Sequence, residues 1–231
     1  DGQITRWRAR AVARGFTQRP GVDYNEEEVY APVVSYDTFR TCLSIAAATD
    51  AEILQADIKN AYLVGELDRP IYMRQPPSGC MVKDEFGRPM ICKLARPIYG
   101  LKQSGHIFAN VLHGFLEGLG MKRLVSDRCV FIKESAGWAA DSDVPSLEKG
   151  ASLNPNGGQL IVLTYVDDLT IIGSPSETQG LMDELRKRFT LQEAETGDAS
   201  YMLSMEVKRN REARSLTINQ EAAIKKIAAG L

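Results

Sequence analysis

The stretch "QLIVLTYVDDLTIIG" at residues 159–173 sets Asp167 and Asp168 side by side within a run of apolar and β-branched residues. Such a run reads as strand. An ionised carboxylate is costly to bury without a partner, so the pair is expected where the chain turns. Two apolar arms, 160–166 and 169–173, then form a hairpin with the acidic pair at its tip. Aspartate is common in turns. A two-residue hairpin turn, however, favours Asn-Gly or Asp-Gly, because backbone of positive φ suits glycine. Asp-Asp is a poor turn on stability grounds and a good one for holding a cation.

A third acid enters from "EILQADIKNAYL" (52–63), a segment that starts as a strand and carries Asp57 near its end. If the two segments are neighbours in one sheet, Asp57 and Asp167 can face each other. Carboxylates brought together repel unless a cation intervenes. Oxygen ligands without His or Cys favour a hard ion, Mg²⁺ or Mn²⁺. Two such ions about 3.5–4 Å apart can hold the attacking and leaving oxygens of a phosphoryl transfer.

The rest of the chain excludes several alternatives. Cys42, Cys80, Cys92 and Cys129 are scattered without a CxxC pair, and His106 and His113 are remote from most of them, which argues against zinc and for a reduced, intracellular protein. No apolar stretch reaches the roughly 18–20 residues that cross a bilayer. With 44% hydrophobic and 25% charged residues the composition is that of an ordinary globular domain. The net charge of −2 conceals a basic stretch, Arg6, Arg8, Arg10, Arg14 and Arg19, answered by Asp23 and Glu26–Glu28. A local stripe of this kind can hold phosphates, although a solvated strand and loop would look the same. A chain that opens without Met and stops inside "AIKKIAAGL", where a helix is expected, reads as a segment of a longer protein.

Patterning predicts a half-exposed strand over 6–16, a helix over 35–50 capped by Ser35 or Asp37, a hairpin arm over 69–77 and a strand over 90–100. It continues with a helix over 104–120, a short strand over 129–133, a helix over 176–189 capped by Ser176, a strand pair over 200–210 and 214–220, and a helix over 221–230. Residues 134–158, rich in Gly, Ser, Asp, Pro and Asn, read as a mobile surface insertion, with Asp141 and Asp143 only a fragment of a calcium loop. The order of elements predicts an α+β fold, an antiparallel sheet with helices packed on one face.

Five blocks in order, "RARAVARGFTQRPGVDYNE", "YAPVVSYDTFR", "QADIKNAYLVGELDRPIYMRQPP", "CKLARPIYGLKQS" and "LTYVDDLTIIG", resemble the reverse transcriptase of copia-type LTR retrotransposons (Pseudoviridae) over nearly the whole chain. The resemblance implies a right-hand polymerase. Its antiparallel-sheet palm with a ferredoxin-like core would hold the acids. Fingers and the start of the palm would occupy 1–56, palm with finger segments 57–210, and the start of a truncated thumb 211–231. It implies an RNA-directed DNA polymerase, a nucleotidyltransferase that adds dNTPs to a primer 3′-hydroxyl on an RNA or DNA template, with two Mg²⁺ or Mn²⁺ ions. Asp57, Asp167 and Asp168 match the catalytic acids, and the Ile58 carbonyl is an added metal ligand. Tyr62 falls where the family places an aromatic ring under the sugar, excluding a 2′-hydroxyl; a core tyrosine is the alternative. Tyr165 and Val166 fall near the primer end and incoming sugar. Gly100, Lys102 and Gln103 border the nucleotide, and Arg8 or Arg10 grips the triphosphate. Protease, integrase (for DNA integration) and RNase H regions are expected on the same polyprotein, in a cytoplasmic virus-like particle and in the nucleus, with no membrane partner. Departures from the family pattern are Gly105-His106 after "LKQS", Ser204 in "MLSMEV" and "NEEEVYAPV". They leave open a catalytically inactive, diverged remnant that folds and binds nucleic acid.

Overall fold

The computed structural model describes residues 10–76, 81–134, 158–203 and 205–229, apart from the side chains of Glu195 and Ala222. In chain order its regular elements are α1 (Tyr36–Thr49), β1 (Glu52–Asp57), β2 (Tyr72–Arg74), β3 (Ile91–Lys93), α2 (Ser104–Gly118), β4 (Lys122–Arg123), β5 (Val130–Glu134), β6 (Gln159–Tyr165), β7 (Asp168–Gly173), α3 (Pro175–Arg188), β8 (Gly197–Asp198), β9 (Tyr201–Met202), β10 (Met205–Asn210), β11 (Ser215–Asn219) and α4 (Glu221–Ala229). The chain divides into two compact units, with boundaries after Ala31, Lys59 and Leu112. The fold is α+β with antiparallel sheets.

The unit formed by Pro32–Lys59 and the chain from His113 onward carries a six-stranded sheet in the order β4-β5-β6-β7-β1-β8. A second sheet, β11-β10-β9, lies in the same unit. β6 is buried at every residue from Gln159 to Thr164, and β7 from Leu169 to Gly173. A continuous buried run of this kind needs cover on both faces. On one face α1 lays Phe39, Cys42, Leu43 and Ala46 against Ile53, Val130, Ile132, Ile161, Leu163 and Ile172, with Met202, Met205 and Val207 completing the core. On the other face, Phe131 and Thr164 meet His113 of α2, and α3 packs on β1 and β7. The expected one-sided cover is therefore corrected: helices lie on both faces.

Local chemistry explains the helix starts. Ser35 caps α1 by accepting the Thr38 N–H at 3.2 Å. In α3 the cap is Ser174, not Ser176, because Pro175 takes the first helical position, where a missing N–H costs nothing. Arg186, Lys187 and Arg188 fill the last turn, where the helix dipole favours cations.

The other unit contains the two-stranded sheet β2-β3 and a small core of Ala13, Ile71 and Leu101 with Leu67, Leu94 and Ile98. The expected strand over 6–16 does not form in its described part: residues 10–14 have no strand partner, and Gly15–Thr17 is a 3-10 turn. Alternation supports a strand only where a ladder receives it. Here the Ala13 N–H instead makes a single bond to the Tyr99 carbonyl at 2.8 Å. Residues 1–9 and 135–157, which include Arg8 and most of the expected insertion, lie outside the described residues.

Candidate active site

β7 lies between β6 and β1. In its ladders Asp168 is the direct partner of Asp57 on one side and of Tyr165 on the other. Directly opposed residues share a face of the sheet, so Tyr165, Asp168 and Asp57 form a row across three strands. The sequence-based pairing of Asp57 with Asp167 is thus shifted by one. The hairpin tip is shifted as well: it is Val166–Asp167, and Asp168 already belongs to β7. A one-residue change of register exchanges faces, which separates the roles of the two aspartates.

Asp167 remains beside Asp57 through the backbone, its carbonyl accepting the Ile58 N–H at 3.0 Å. The opposite edge of β1 is held by a segment that carries no recognisable motif. The Lys59 N–H donates to the Thr190 carbonyl at 2.9 Å, the Gln192 N–H donates to the Asp57 carbonyl at 2.8 Å, and Thr196 Oγ1 lies 3.4 Å from the Asp57 nitrogen. Ile58, 1% exposed, bridges Leu191. The end of β1 is therefore fixed along both edges.

The turn carries a conformational cost. Val166 has φ +57°, a region that a β-branched residue adopts only under constraint. The constraint here is two well-formed strands meeting across two residues. Asp57 and Asp167 are half-buried, whereas Asp168 is exposed. Their donor chemistry, carboxylate oxygen alone, suits a hard divalent ion. Among the described residues no three His, Cys, Asp or Glu side chains are already gathered around one point. The backbone register is what brings these three acids to one end of the sheet.

Behind the hairpin, His113 Nε2 lies 3.4 Å from Thr164 Oγ1, whose hydroxyl also reaches the Cys129 carbonyl at 3.2 Å. Burial, with the nearby Arg123 charge, pushes the imidazole pKa down to about 4. Burial likewise raises the thiols of Cys42 and Cys129, to about 12 and about 11, so both are unreactive core residues.

The remaining expected site residues lie in the other unit. Tyr62, in a 3-10 turn over Ala61–Val64, stands edge-on to Tyr99 with ring centroids 4.7 Å apart. The Arg10 guanidinium lies 4.8 Å from the centre of the Tyr99 ring. Gly100 has φ +89°, and a β-carbon on it would stand 2.2 Å from the Ala13 carbonyl oxygen. Its freedom is thus used on a neighbouring stretch of backbone. Gly15, not singled out from the sequence, closes the same contact: its β-carbon would lie 2.0 Å from the Gly100 oxygen. Gln103 is 1% exposed, and its amide bonds Gln18 and the Asp23 carbonyl, at 3.0 and 2.9 Å. Lys102 is exposed, with its ammonium 5.3 Å from the centre of the Tyr24 ring. The departures at Gly105 and His106 fit their surroundings: a β-carbon on Gly105 would crowd Ala31 at 3.1 Å, and His106 Nδ1 lies 2.8 Å from the Tyr30 carbonyl. Ser204 lies outside the described residues.

This site of strand-end acids on an antiparallel sheet can be set beside known proteins. Residues 1–138 match the family model described as reverse transcriptase (RNA-dependent DNA polymerase). The match takes in Asp57 and ends before the β6–β7 hairpin. The chain is 32% identical, over 98% of its length, to a retrovirus-related Pol polyprotein from transposon TNT 1-94 of Nicotiana tabacum, and spans 15% of that protein. It is 35% identical, over 90% of its length, to a retrovirus-related Pol polyprotein from transposon RE1 of Arabidopsis thaliana, and spans 12% of it. Among solved structures, a telomerase from Candida albicans in complex with a fragment of telomeric RNA aligns over 85% of this chain and 37% of its own, at 12% identity and a TM-score of 0.41. The chain belongs to the reverse transcriptase family, as a copia-type domain of the kind carried by retrotransposon Pol polyproteins.

Proposed function

We propose that this domain is an RNA-directed DNA polymerase that extends a primer 3′-hydroxyl with dNTPs on a nucleic-acid template. The observation that carries the reading is the row of Asp57 and Asp168 across β1 and β7, with Asp167 in the adjoining turn. In this reading the six-stranded sheet is the palm of a right-hand polymerase, the unit containing β2 and β3 belongs to the fingers, and the C-terminal segment begins a thumb. Asp57, Asp167 and Asp168, with the Ile58 carbonyl, would hold two Mg²⁺ or Mn²⁺ ions. When bound, such ions activate the hydroxyl and stabilise the charge on the departing pyrophosphate. The chain's own contribution is positional. The ladder on one edge of β1 and the Thr190–Gln192 bonds on the other hold Asp57 in place, and the tight turn fixes Asp167.

By family resemblance, Tyr62 closes the space beside the sugar and rejects ribonucleotides. Tyr165 and Val166 border the primer end, Gly100, Lys102 and Gln103 support the nucleotide site, and Arg8 and Arg10 meet the triphosphate as bidentate donors. Protease, integrase and RNase H regions would act from the same polyprotein, in a virus-like particle and in the nucleus.

Primer extension on poly(rA)·oligo(dT) with Mg²⁺ or Mn²⁺ tests the reading. Extension by the folded domain that Asp57→Asn or Asp168→Asn abolishes supports it. No extension by the intact polyprotein product, with all three aspartates present, assigns the chain to an inactive lineage instead. Tyr62→Val is expected to admit ribonucleotides, and unchanged sugar selectivity removes the gate assignment.

A further inference from the structure

The turn that carries Asp167 is held on the β1 side by the Ile58 bond, and β1 in turn by Thr190 and Gln192. The outer edge of β6 is held by a different device. β5 accompanies β6 only as far as the Val130–Leu163 pair. The next residue, Thr164, turns both backbone groups to that edge. Its N–H donates to the Cys129 carbonyl at 2.9 Å, and its carbonyl accepts the Val34 N–H at 3.1 Å. One residue further, Tyr165 bridges Val33. Residues 33–34 thus take over the edge of β6 where β5 ends, immediately before Val166 and Asp167.

Both segments that meet Thr164 are tied to one side chain. Asp127 Oδ2 accepts the Ser35 N–H at 2.9 Å, and Asp127 Oδ1 accepts the Cys129 N–H at 3.0 Å. The backbone carbonyl of Asp127 accepts the Val130 N–H at 3.1 Å, which anchors the residue at the start of β5. Hydrogen bonds from N–H groups to a carboxylate are charge-assisted and stronger than those between neutral groups. One of these donors opens α1, where the helix dipole also favours an anion. The bonds close a ring: Asp127 to Cys129, Cys129 to Thr164, Thr164 to Val34, and Ser35 back to Asp127. All of its members lie in the unit of the six-stranded sheet.

From this ring we infer that Asp127 is a positioning residue for the acid-bearing turn. It touches neither Asp57 nor Asp168 in the ladder. It holds 33–35 and Cys129 against the end of β6, and so fixes Tyr165 before the turn begins. Val166, at φ +57°, keeps its strained backbone only while the structure on both sides over-determines it. With the end of β6 released, Val166 can relax, and Asp167 moves with it. The turn is therefore clamped along both outer edges, by backbone partners at β1 and by the Asp127 carboxylate at β6. The effect on the turn stands on the ring alone. Its consequence for primer extension rests on the polymerase reading.

The test is residue-resolved amide hydrogen exchange by NMR of the domain in EDTA, followed by steady-state primer extension. In Asp127→Ala the Val34 and Ile58 amides are expected to exchange about tenfold faster or more, as loss of charge-assisted bonds implies. Ile161 and Val162, inside β6, should keep their protection. Ile58 is the discriminating amide. It bonds to the Asp167 carbonyl across the hairpin from Asp127, so loosening confined to the ring does not reach it. In extension, kcat is expected to fall about tenfold or more with the dNTP KM within about twofold of the parent, as misplacement of reacting groups requires. Asp127→Asn keeps one acceptor oxygen and should fall between parent and Asp127→Ala in both readouts. Where Asp127→Ala fails to fold, Asp127→Asn carries the same comparison. Leu181→Ala, a truncation of a buried side chain of α3, is the control: it should lower the thermal midpoint and retain kcat well below it. Unchanged exchange at Ile58 overturns the inference even where Val34 opens, because Asp127 would then hold only its own neighbours. So does acceleration spread evenly over Ile161, Val162 and Ile58, the mark of global destabilisation. A third result against it is a kcat loss, from an active parent, no greater than that of Leu181→Ala. A parent that does not extend primers counts against the polymerase reading alone, and the exchange at Ile58 then decides the positioning.

Discussion

Asp57 and Asp168 face each other directly across the β1–β7 ladder. Like charges at such positions destabilise a sheet by about 0.2–1 kcal/mol relative to neutral pairs. Asp168→Asn is therefore expected to raise stability by about that amount in urea melts run in EDTA, while abolishing primer extension. Added Mg²⁺ should narrow the gap by stabilising the parent more than the variant. A variant less stable than its parent in EDTA would show that the two carboxylates do not repel in the folded state.

Val166 sits at φ +57° between two strands that leave only two residues for the turn. A left-handed conformation costs an ordinary L-residue about 1–2 kcal/mol, and glycine escapes it. Val166→Gly is expected to raise the urea midpoint, by less than that cost because glycine also loses more entropy on folding. Val166→Ala keeps the β-carbon and should recover little of the gain. Equal effects of the two substitutions would show that the turn is not strained at this residue.

Much of this arrangement was legible in the residues. Asp57, Asp167 and Asp168 stand out because carboxylates among strand-forming residues conflict with burial, and α1 is announced by Ser35 and its apolar spacing. What escaped was set by partners remote in sequence. The hairpin tip falls one residue earlier than local patterning implies, because β1 draws Asp168 into the ladder. The bonds from Thr190 and Gln192 to the end of β1 are made by backbone atoms, which every residue type carries alike. Residues 10–14 alternate as a strand would but find no ladder. Gly15 acquires its meaning only when Gly100 arrives from 85 positions further on.

That glycine contact is a sharp test of the smaller unit. A β-carbon on Gly100 would lie 2.2 Å from the Ala13 oxygen and 2.7 Å from Val12 Cγ1, at φ +89°. Gly100→Ala therefore combines overpacking with backbone strain and is expected to cost about 2 kcal/mol or more. Gly21 also has positive φ, +74°, but open space around it, so Gly21→Ala is expected to cost only the strain, about 1–2 kcal/mol. Chemical denaturation of the pair separates the two contributions. Equal losses would show that the Gly100–Ala13 approach is not tight in solution.

His113 makes the larger unit sensitive to acid. Its imidazole is 3% exposed, packed on Phe131 with ring centroids 5.0 Å apart and beside the Thr164 hydroxyl. Burial holds its folded pKa near about 4, against an ordinary value of 6.5. Below pH 6.5 the unfolded chain takes up a proton that the folded chain refuses, so the unfolded state binds more protons and stability declines as the pH is lowered. The contribution is fully present above about pH 6.5, is lost progressively as pH falls toward about 4, and changes no further below that. His113→Leu removes the titrating group while keeping an apolar side chain against Phe131. Stability of parent and variant, measured by urea midpoint at half-unit intervals from pH 7.5 to 3.5, should therefore differ by an amount that shifts in the variant's favour between pH 6.5 and 4 and is flat on either side. A difference that stays constant across the range would show that His113 titrates alike in the folded and unfolded chain.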